Sequence, residues 1–278
     1  MYKLKAERLQ PAIDSILQCT IQFFVEKEGG QYQGAGSGLL LTVDRRFFMV
    51  TAAHVIAEHY EDVFIILGDM KQQLGGRLFT TPLPDSGNRT DDKLDIGIME
   101  LLDGNLIFSI QKDYSFLTLS DLDIDHKASG PYLSVGYPAA KTKSYKGKLE
   151  TSPYPVQADL RKDFDYKKVG FNHLTHIALK FEGGVISATN LVPHKTPTMN
   201  GISGSGVWHN GNYLTGNPVT QKKLVGILIE ESASSNRTVM IVTRVAVITE
   251  MLRQAFKLNI PQSKTVRLNL SSGKILGS

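Results

Sequence analysis

Apolar residues recur along this chain with two different periods. Near the start, Leu9, Ala12, Ile13, Ile16 and Leu17 fall three or four apart, which puts them on one face of a short helix with Pro11 in its first turn. From residue 20 the texture changes to short runs rich in Val, Ile, Phe and Thr, bounded by Gly, Asp and Asn, as β-strands are. The first set covers 20–27, 36–43, 47–51, 62–67, 74–80 and 96–101, interrupted by a loop over 81–94 that is rich in Pro, Gly, Asn and Asp. A polar connector over 111–130 leads to a second set at 131–136, 148–152, 175–181, 205–209, 223–229 and 238–243. Helical spacing returns at Val245, Ile248, Leu252, Ala255 and Phe256 and ends near Asn259; the remainder reads as a polar, poorly anchored tail. Two sets of strands joined by a linker predict an all-β chain of two packed antiparallel units. No repeat with a solenoid or propeller period is present.

Composition narrows this picture. With 278 residues and 41% hydrophobic content, the chain can bury a core without a metal or disulfide staple. A single cysteine, Cys19, excludes a disulfide framework and any multi-cysteine zinc site. Lys and Arg number 31 against 27 Asp and Glu, a balance too mild to indicate nucleic acid. The N-terminus is charged from its third residue, and no apolar run approaches the roughly 20 residues of a membrane span. Together with the lone cysteine, this predicts a cytoplasmic protein with neither membrane nor nucleic-acid partners.

Three short motifs carry candidate chemistry. Thr51-Ala52-Ala53-His54-Val55 follows the apolar run FFMV, so His54 projects from a strand end. In Leu94-Asp95-Ile96-Gly97-Ile98, a carboxylate opens an otherwise apolar strand; its neighbours Asp91 and Asp92 read as solvated loop residues. Asn200-Gly201-Ile202-Ser203-Gly204-Ser205-Gly206 sets serine between glycines ahead of a strand. Glycine permits positive φ, which exposes the hydroxyl and lets adjacent N–H groups converge on one point. Taken singly, each motif has a plainer explanation: a satisfied core histidine, a turn-capping Asp, a flexible Gly/Ser loop. The order His, Asp, Ser on a two-unit β chain is what joins them.

These motifs together resemble the trypsin/chymotrypsin-like serine peptidase family, more its bacterial, intracellular-type members without disulfides or a PDZ domain than the secreted animal enzymes. The resemblance spans about 18–258. It implies two six-stranded antiparallel β-barrels, with an N-terminal helix over 1–17, a first barrel over 18–110 holding His54 and Asp95, and a linker over 111–130. A second barrel with the C-terminal helix then covers 131–258 and holds Ser203, and 259–278 is the tail. In that family's mechanism His54 is the general base, Asp95 the carboxylate that orients it and Ser203 the nucleophile. The N–H groups of Gly201 and Ser203 form the oxyanion hole. The implied activity is that of a serine endopeptidase working through an acyl-enzyme on a protein or peptide substrate, with no cofactor and no metal. Gly34-Ala35-Gly36-Ser37-Gly38 resembles the strand beneath the family's histidine.

Several positions depart from the family pattern. Ile202 stands where zymogen-type members carry an Asp that pairs with a newly cut N-terminus, so activation by N-terminal clipping is not expected. Ile229 stands where many relatives place a small polar residue supporting the triad carboxylate. Pocket candidates are Pro197, Thr198, Glu230, Glu231 and Met240, and none of them selects a substrate. The segment 139–172 reads as a long insertion able to gate the cleft or bind a regulatory protein partner. Because Ile202 and Ile229 depart from the pattern, a second reading stands beside the first: a catalytically silent trypsin-like domain that serves as a protein-binding module.

Overall fold

A computed structural model of the chain describes residues 2–57, 60–145, 148–180, 185–186, 193–194, 200–209, 222–234, 237–269 and 274–276. The N-terminal apolar stripe forms helix α1 (Tyr2–Leu17), with Pro11 inside it rather than in its first turn, and Leu9, Ala12, Ile13 and Ile16 buried. Cys19, just after it, is also buried, and burial pushes its thiol up to about 12, so it is inert.

The first set of strands makes one curled antiparallel sheet. Its members are β1 (Thr20–Lys27), β2 (Gln31–Val43), β3 (Arg46–Ala52), β4 (Phe64–Leu67), β5 (Met70–Gln73), β6 (Gly76–Thr80) and β7 (Ile96–Leu101). The order across the sheet is β5-β4-β1-β2-β3-β7-β6. It therefore has seven strands where six were expected, and it remains a half-barrel. The extra strand, Met-Lys-Gln-Gln, is mostly exposed and has no apolar alternation; its hairpin pairing with β4 makes it a strand. A four-residue helix, α2 (Ala53–Ile56), follows β3, and α3 (Gly104–Asp113) follows β7, capped by the Asp103 carboxylate.

Beyond the connector come β8 (Tyr132–Gly136), β9 (Thr142–Tyr145), β10 (Lys148–Thr151), β11 (Tyr154–Leu160), β12 (His176–Lys180), the two-residue pair β13 (Val185–Ile186) and β14 (Pro193–His194), β15 (Gly206–His209), β16 (Lys223–Ser234) and β17 (Arg237–Arg244). Six of them, β11-β12-β17-β16-β15-β8, close into a barrel, as the two-barrel expectation requires. The run at 148–152 is not one of its staves. It forms a separate hairpin with β9, and the stave is β11, whose Tyr154, Val156 and Ala158 are buried. Pro155 hides this strand from sequence inspection. It is tolerated because β12 pairs with β11 only at Asp159 and Leu160. The segment 139–172 is thus not one long insertion, since it contains a barrel strand. Its hairpin is tied to the first sheet, with Gln22 Nε2 donating to Thr142 Oγ1 at 2.8 Å.

Tyr132, Val156, Ile177, Leu179, Val207, Val225 and Val242 fill the closed barrel, while a larger apolar core joins the first sheet, the outer face of the barrel and helix α4 (Val245–Ala255). The tail is better anchored than its polarity predicts. Ile260, Val266 and Leu268 are buried, and Asp125 accepts hydrogen bonds from Ser263 Oγ (3.1 Å) and the Lys264 N–H (2.9 Å). Beyond that point β18 (Arg267–Asn269) pairs with β19 (Lys274–Leu276). Among the described residues, no helix is long and apolar enough to cross a membrane.

Candidate active site

Strands β3 and β7 are paired through Ala52 and Ile96, which brings the residues just beyond them, His54 and Asp95, to one end of the sheet. The Asp95 carboxylate meets His54 twice. Oδ1 accepts the His54 backbone N–H at 2.9 Å, and Oδ2 lies 2.6 Å from Nδ1. The pair runs from inside outward, the Asp95 side chain 7% exposed and the His54 side chain 36%. Burial pushes the Asp95 carboxyl above its ordinary value, and the hydrogen bonds and positive charge available from His54 oppose that. With the carboxylate ionised, Nδ1 carries the proton and Nε2 is the basic nitrogen.

Asp95 has φ of 49°, a left-handed conformation that a residue with a Cβ adopts only when its surroundings impose it. Asp92 imposes it from the preceding turn. Its Oδ1 accepts the N–H of Leu94 at 3.1 Å and of Asp95 at 3.0 Å, while its Oδ2 takes Arg89 Nη1 at 2.7 Å and the Thr81 hydroxyl. Asp92 is therefore no solvated loop residue: its side chain is 6% exposed and that of Arg89 8%. Arg89 standing three residues before Asp92 is the sequence signal for this pair, and burial is what gives it a purpose. The closed barrel supplies two further bonds. Thr243 Oγ1 on β17 donates to Leu94 O at 2.8 Å, and His176 Nε2 on β12 lies 2.7 Å from Lys93 O. Burial pulls His176 down to about 4, so near neutral pH it is uncharged and donates that bond through its Nε2 proton. Ile229 is buried and supplies no hydrogen bond; among the described residues, only His54 donates to the Asp95 carboxylate.

On the other side lies the turn 200–204. Gly201 and Gly204 have φ of 89° and 84°, and a Cβ on Gly204 would sit 2.0 Å from Ser37 O, so only glycine fits there. In a trans peptide the C=O and N–H point in opposite directions. Asn200 O accepts from the Ala139 N–H at 2.7 Å, and Ile202 O accepts from the Ser205 N–H at 3.0 Å. Those two bonds turn the N–H groups of Gly201 and Ser203 the other way, and among the described residues neither has an acceptor. Between them, the Ile202 side chain is buried in the apolar cluster that fills the closed barrel. The turn is also joined to the His54 side of the molecule. Ser37 N–H donates to Ser203 O at 2.9 Å, and Ser37 O accepts from Thr51 Oγ1, three residues before His54, at 2.7 Å.

The other predicted site residues are less informative. Glu230 is half-buried just past a bulge at Ile229, opposite Ile241. The backbone of Glu231 pairs with Met240, whose side chain packs inside the barrel rather than along an open cleft. Pro197 and Thr198 lie outside the described residues. No group of three His, Cys, Asp or Glu able to hold a metal occurs among the described residues.

No protein-family profile matches the chain, and no curated protein sequence does. Among the solved structures similar to it are the scabies mite inactivated protease paralogues S-I1 and S-D1. The first is 16% identical with a TM-score of 0.52, over 87% of this chain and 96% of that one. The second is 14% identical with a TM-score of 0.50, over 89% of this chain and 96% of that one. At such identity the likeness speaks for architecture alone: the chain has the trypsin-like fold, a closed six-stranded barrel beside a curled half-barrel sheet.

Proposed function

We propose that this protein is a serine endopeptidase that cleaves peptide bonds through an acyl-enzyme. The observation that carries the reading is the joint orientation of its parts: Asp95 Oδ2 at 2.6 Å from His54 Nδ1, together with the acceptor-free N–H groups of Gly201 and Ser203 on one glycine turn. In this reading His54 Nε2 takes the proton of the Ser203 hydroxyl as the oxygen attacks the carbonyl carbon, then returns it to the departing amine. The anionic oxygen formed on the way meets the two backbone N–H groups, and losing one such donor typically costs about 10²–10³ in rate. Water, deprotonated by the same imidazole, releases the acyl group. Ile202 favours activity without N-terminal clipping, because an apolar anchor holds the turn where an ion pair would otherwise be needed. The cytoplasmic, bacterial-type setting rests on the lone cysteine and remains part of the proposal, as does a regulatory protein partner.

One observation favours a second reading, a catalytically silent binding module: two of the similar solved structures, S-I1 and S-D1, are named as inactivated paralogues. A fluorophosphonate probe separates the two. Labelling mapped to Ser203, and abolished in His54→Ala and Ser203→Ala variants that still fold, is expected of the peptidase. Absence of labelling under every condition would support the silent module. Labelling only after addition of cell extract would point to a peptidase held in check until a partner orders the turn.

A further inference from the structure

Ser37 lies on β2 of the half-barrel sheet, is fully buried, and belongs to neither the proposed triad nor the two-donor turn. Each of its polar atoms is nonetheless engaged, and most of the bonds cross to the second unit. Its backbone N–H donates to Ser203 O at 2.9 Å and its carbonyl accepts from Thr51 Oγ1 at 2.7 Å. Its hydroxyl donates to Gly201 O at 3.3 Å and accepts from the Tyr137 N–H at 2.9 Å. One hydroxyl offers one proton and two lone pairs, so these roles are compatible and fix the direction of the O–H bond.

We propose that the Ser37 hydroxyl is the positioning group of the oxyanion turn. This rests on the peptidase reading above. The Gly201 peptide groups are the part of the turn freest to rotate, since glycine has no steric preference for the sign of φ. Rotation of the Asn200–Gly201 peptide would turn the Gly201 N–H out of the site and bring the Asn200 carbonyl in, replacing a donor with an acceptor. Two bonds resist this on either side of Gly201. Ala139 N–H holds Asn200 O, and Ser37 Oγ holds Gly201 O. The first depends on the segment 137–139, and the same Ser37 hydroxyl that makes the second also holds the Tyr137 N–H at the start of that segment. One buried hydroxyl therefore fixes Gly201 directly, and the Ala139 bond through Tyr137. It does so from the half-barrel sheet, so the donor turn is set by the contact between the two units.

Ser37→Ala removes the hydroxyl and keeps the backbone bond to Ser203 O. The variant is expected to lower kcat on a peptide ester about 10–100-fold, the scale of a small misplacement of a catalytic group, with KM within about two-fold. The pH at which half the activity appears, set by His54 and Asp95, should not move. Labelling of Ser203 by a fluorophosphonate should slow by the same factor as kcat. Independently of any turnover, amide hydrogen exchange at Ala139 and Ser205, whose N–H groups are bonded to carbonyls of this turn, should quicken by about ten-fold or more in the folded variant. Ser37→Cys, similar in size with a weaker donor, should fall between wild type and Ser37→Ala, and it supplies the measurement if the alanine variant is poorly folded. Unchanged exchange at Ala139 and Ser205, or labelling as fast as wild type, would overturn the proposal. A wild-type protein that never labels while exchange still quickens in the variant would remove the peptidase reading and leave Ser37 as the clamp of the turn.

Discussion

Asp95 and Gly201 both hold a positive φ, 49° and 89°, at opposite sides of the site, and the means of holding them differ. At Asp95 the conformation costs a side-chain-bearing residue about 1–2 kcal/mol, and a set of largely ionisable groups imposes it: buried Asp92 with Arg89, and His176 reaching across from the closed barrel. At Gly201 there is no Cβ to oppose, and the bonds come from neutral groups, Ser37 and Ala139, with the apolar side chain of Ile202 seated in the barrel. The difference follows from what each corner presents. A carboxylate kept almost out of water must be aimed at one imidazole, and a buried charge is kept in place by other charges and by dipoles. The nucleophile turn presents only N–H groups and a neutral hydroxyl, so glycine geometry and apolar packing suffice. Acid should therefore disturb the first corner and leave the second alone.

The largest effect expected is that of Asp95→Asn. Asparagine also tolerates positive φ, and its Oδ1 can keep the bond to the His54 N–H. Its amide NH₂, however, then faces Nδ1, which must become the acceptor, so the imidazole proton moves to Nε2 and the base is lost. In the peptidase reading, kcat should fall about 10⁴-fold with the turn intact. Stability near neutral pH should hold or rise, because burial pushes the Asp95 carboxyl up and the ionised form is the disfavoured one. Steady-state kinetics together with urea unfolding check both parts. A loss of activity under about ten-fold, or a large fall in stability, would mean that the charge at Asp95 serves packing rather than the imidazole.

How much of this could be read along the chain depends on the range of the contact. His54, Asp95 and the glycines around Ser203 are legible because each needs a particular residue type at a strand end or turn, and the type is written locally. Ser37 is not, since its partner Gly201 lies 164 residues away and any small residue satisfies the strand pattern. Thr243 and His176 are hidden for the same reason, 149 and 83 residues from the carbonyls they hold. The loop-like composition around Asp92 suggests exposure, whereas its carboxylate is paired with Arg89 and both side chains are buried. Among the strands, β5 lacks any apolar alternation, and β11 is masked by Pro155; both owe their strand form to partners rather than to propensity.

The neutral corner is tested by Ile202→Ala. Truncating this buried side chain should cost about 2–5 kcal/mol in unfolding free energy, the usual range for a large-to-small change in a packed core. No ionisable group is involved, so the same cost is expected at about pH 7 and at about pH 5 in urea titrations. A cost that changed with pH would break the contrast drawn between the corners.

The smallest effect, and the most direct test of that contrast, comes from acid acting on His176. Burial beside the Phe171 ring pulls its imidazole down to about 4; the bonds to the Lys93 and Asn172 backbone oppose this, the Arg244 charge adds to it, and Asp92 acts weakly against it. In the unfolded chain the same group takes its proton near 6.5, so between the two values the unfolded state binds more protons. Stability is therefore complete above about pH 6.5 and falls as pH drops toward 4, by about 2–3 kcal/mol at pH 4.5 for this group alone. His126 and His209, also pulled down by burial, and Glu100 and Glu250, held below their ordinary values, act in the same direction, so the contribution must be read as a difference. His176→Gln retains a donor for the Lys93 carbonyl and removes the titration. It should lose about 2–3 kcal/mol less than wild type between about pH 7 and about pH 4.5 in urea unfolding. Equal losses in the two proteins would mean that burial does not oppose a charge on His176, and that the charged corner is no more sensitive to acid than the glycine turn facing it.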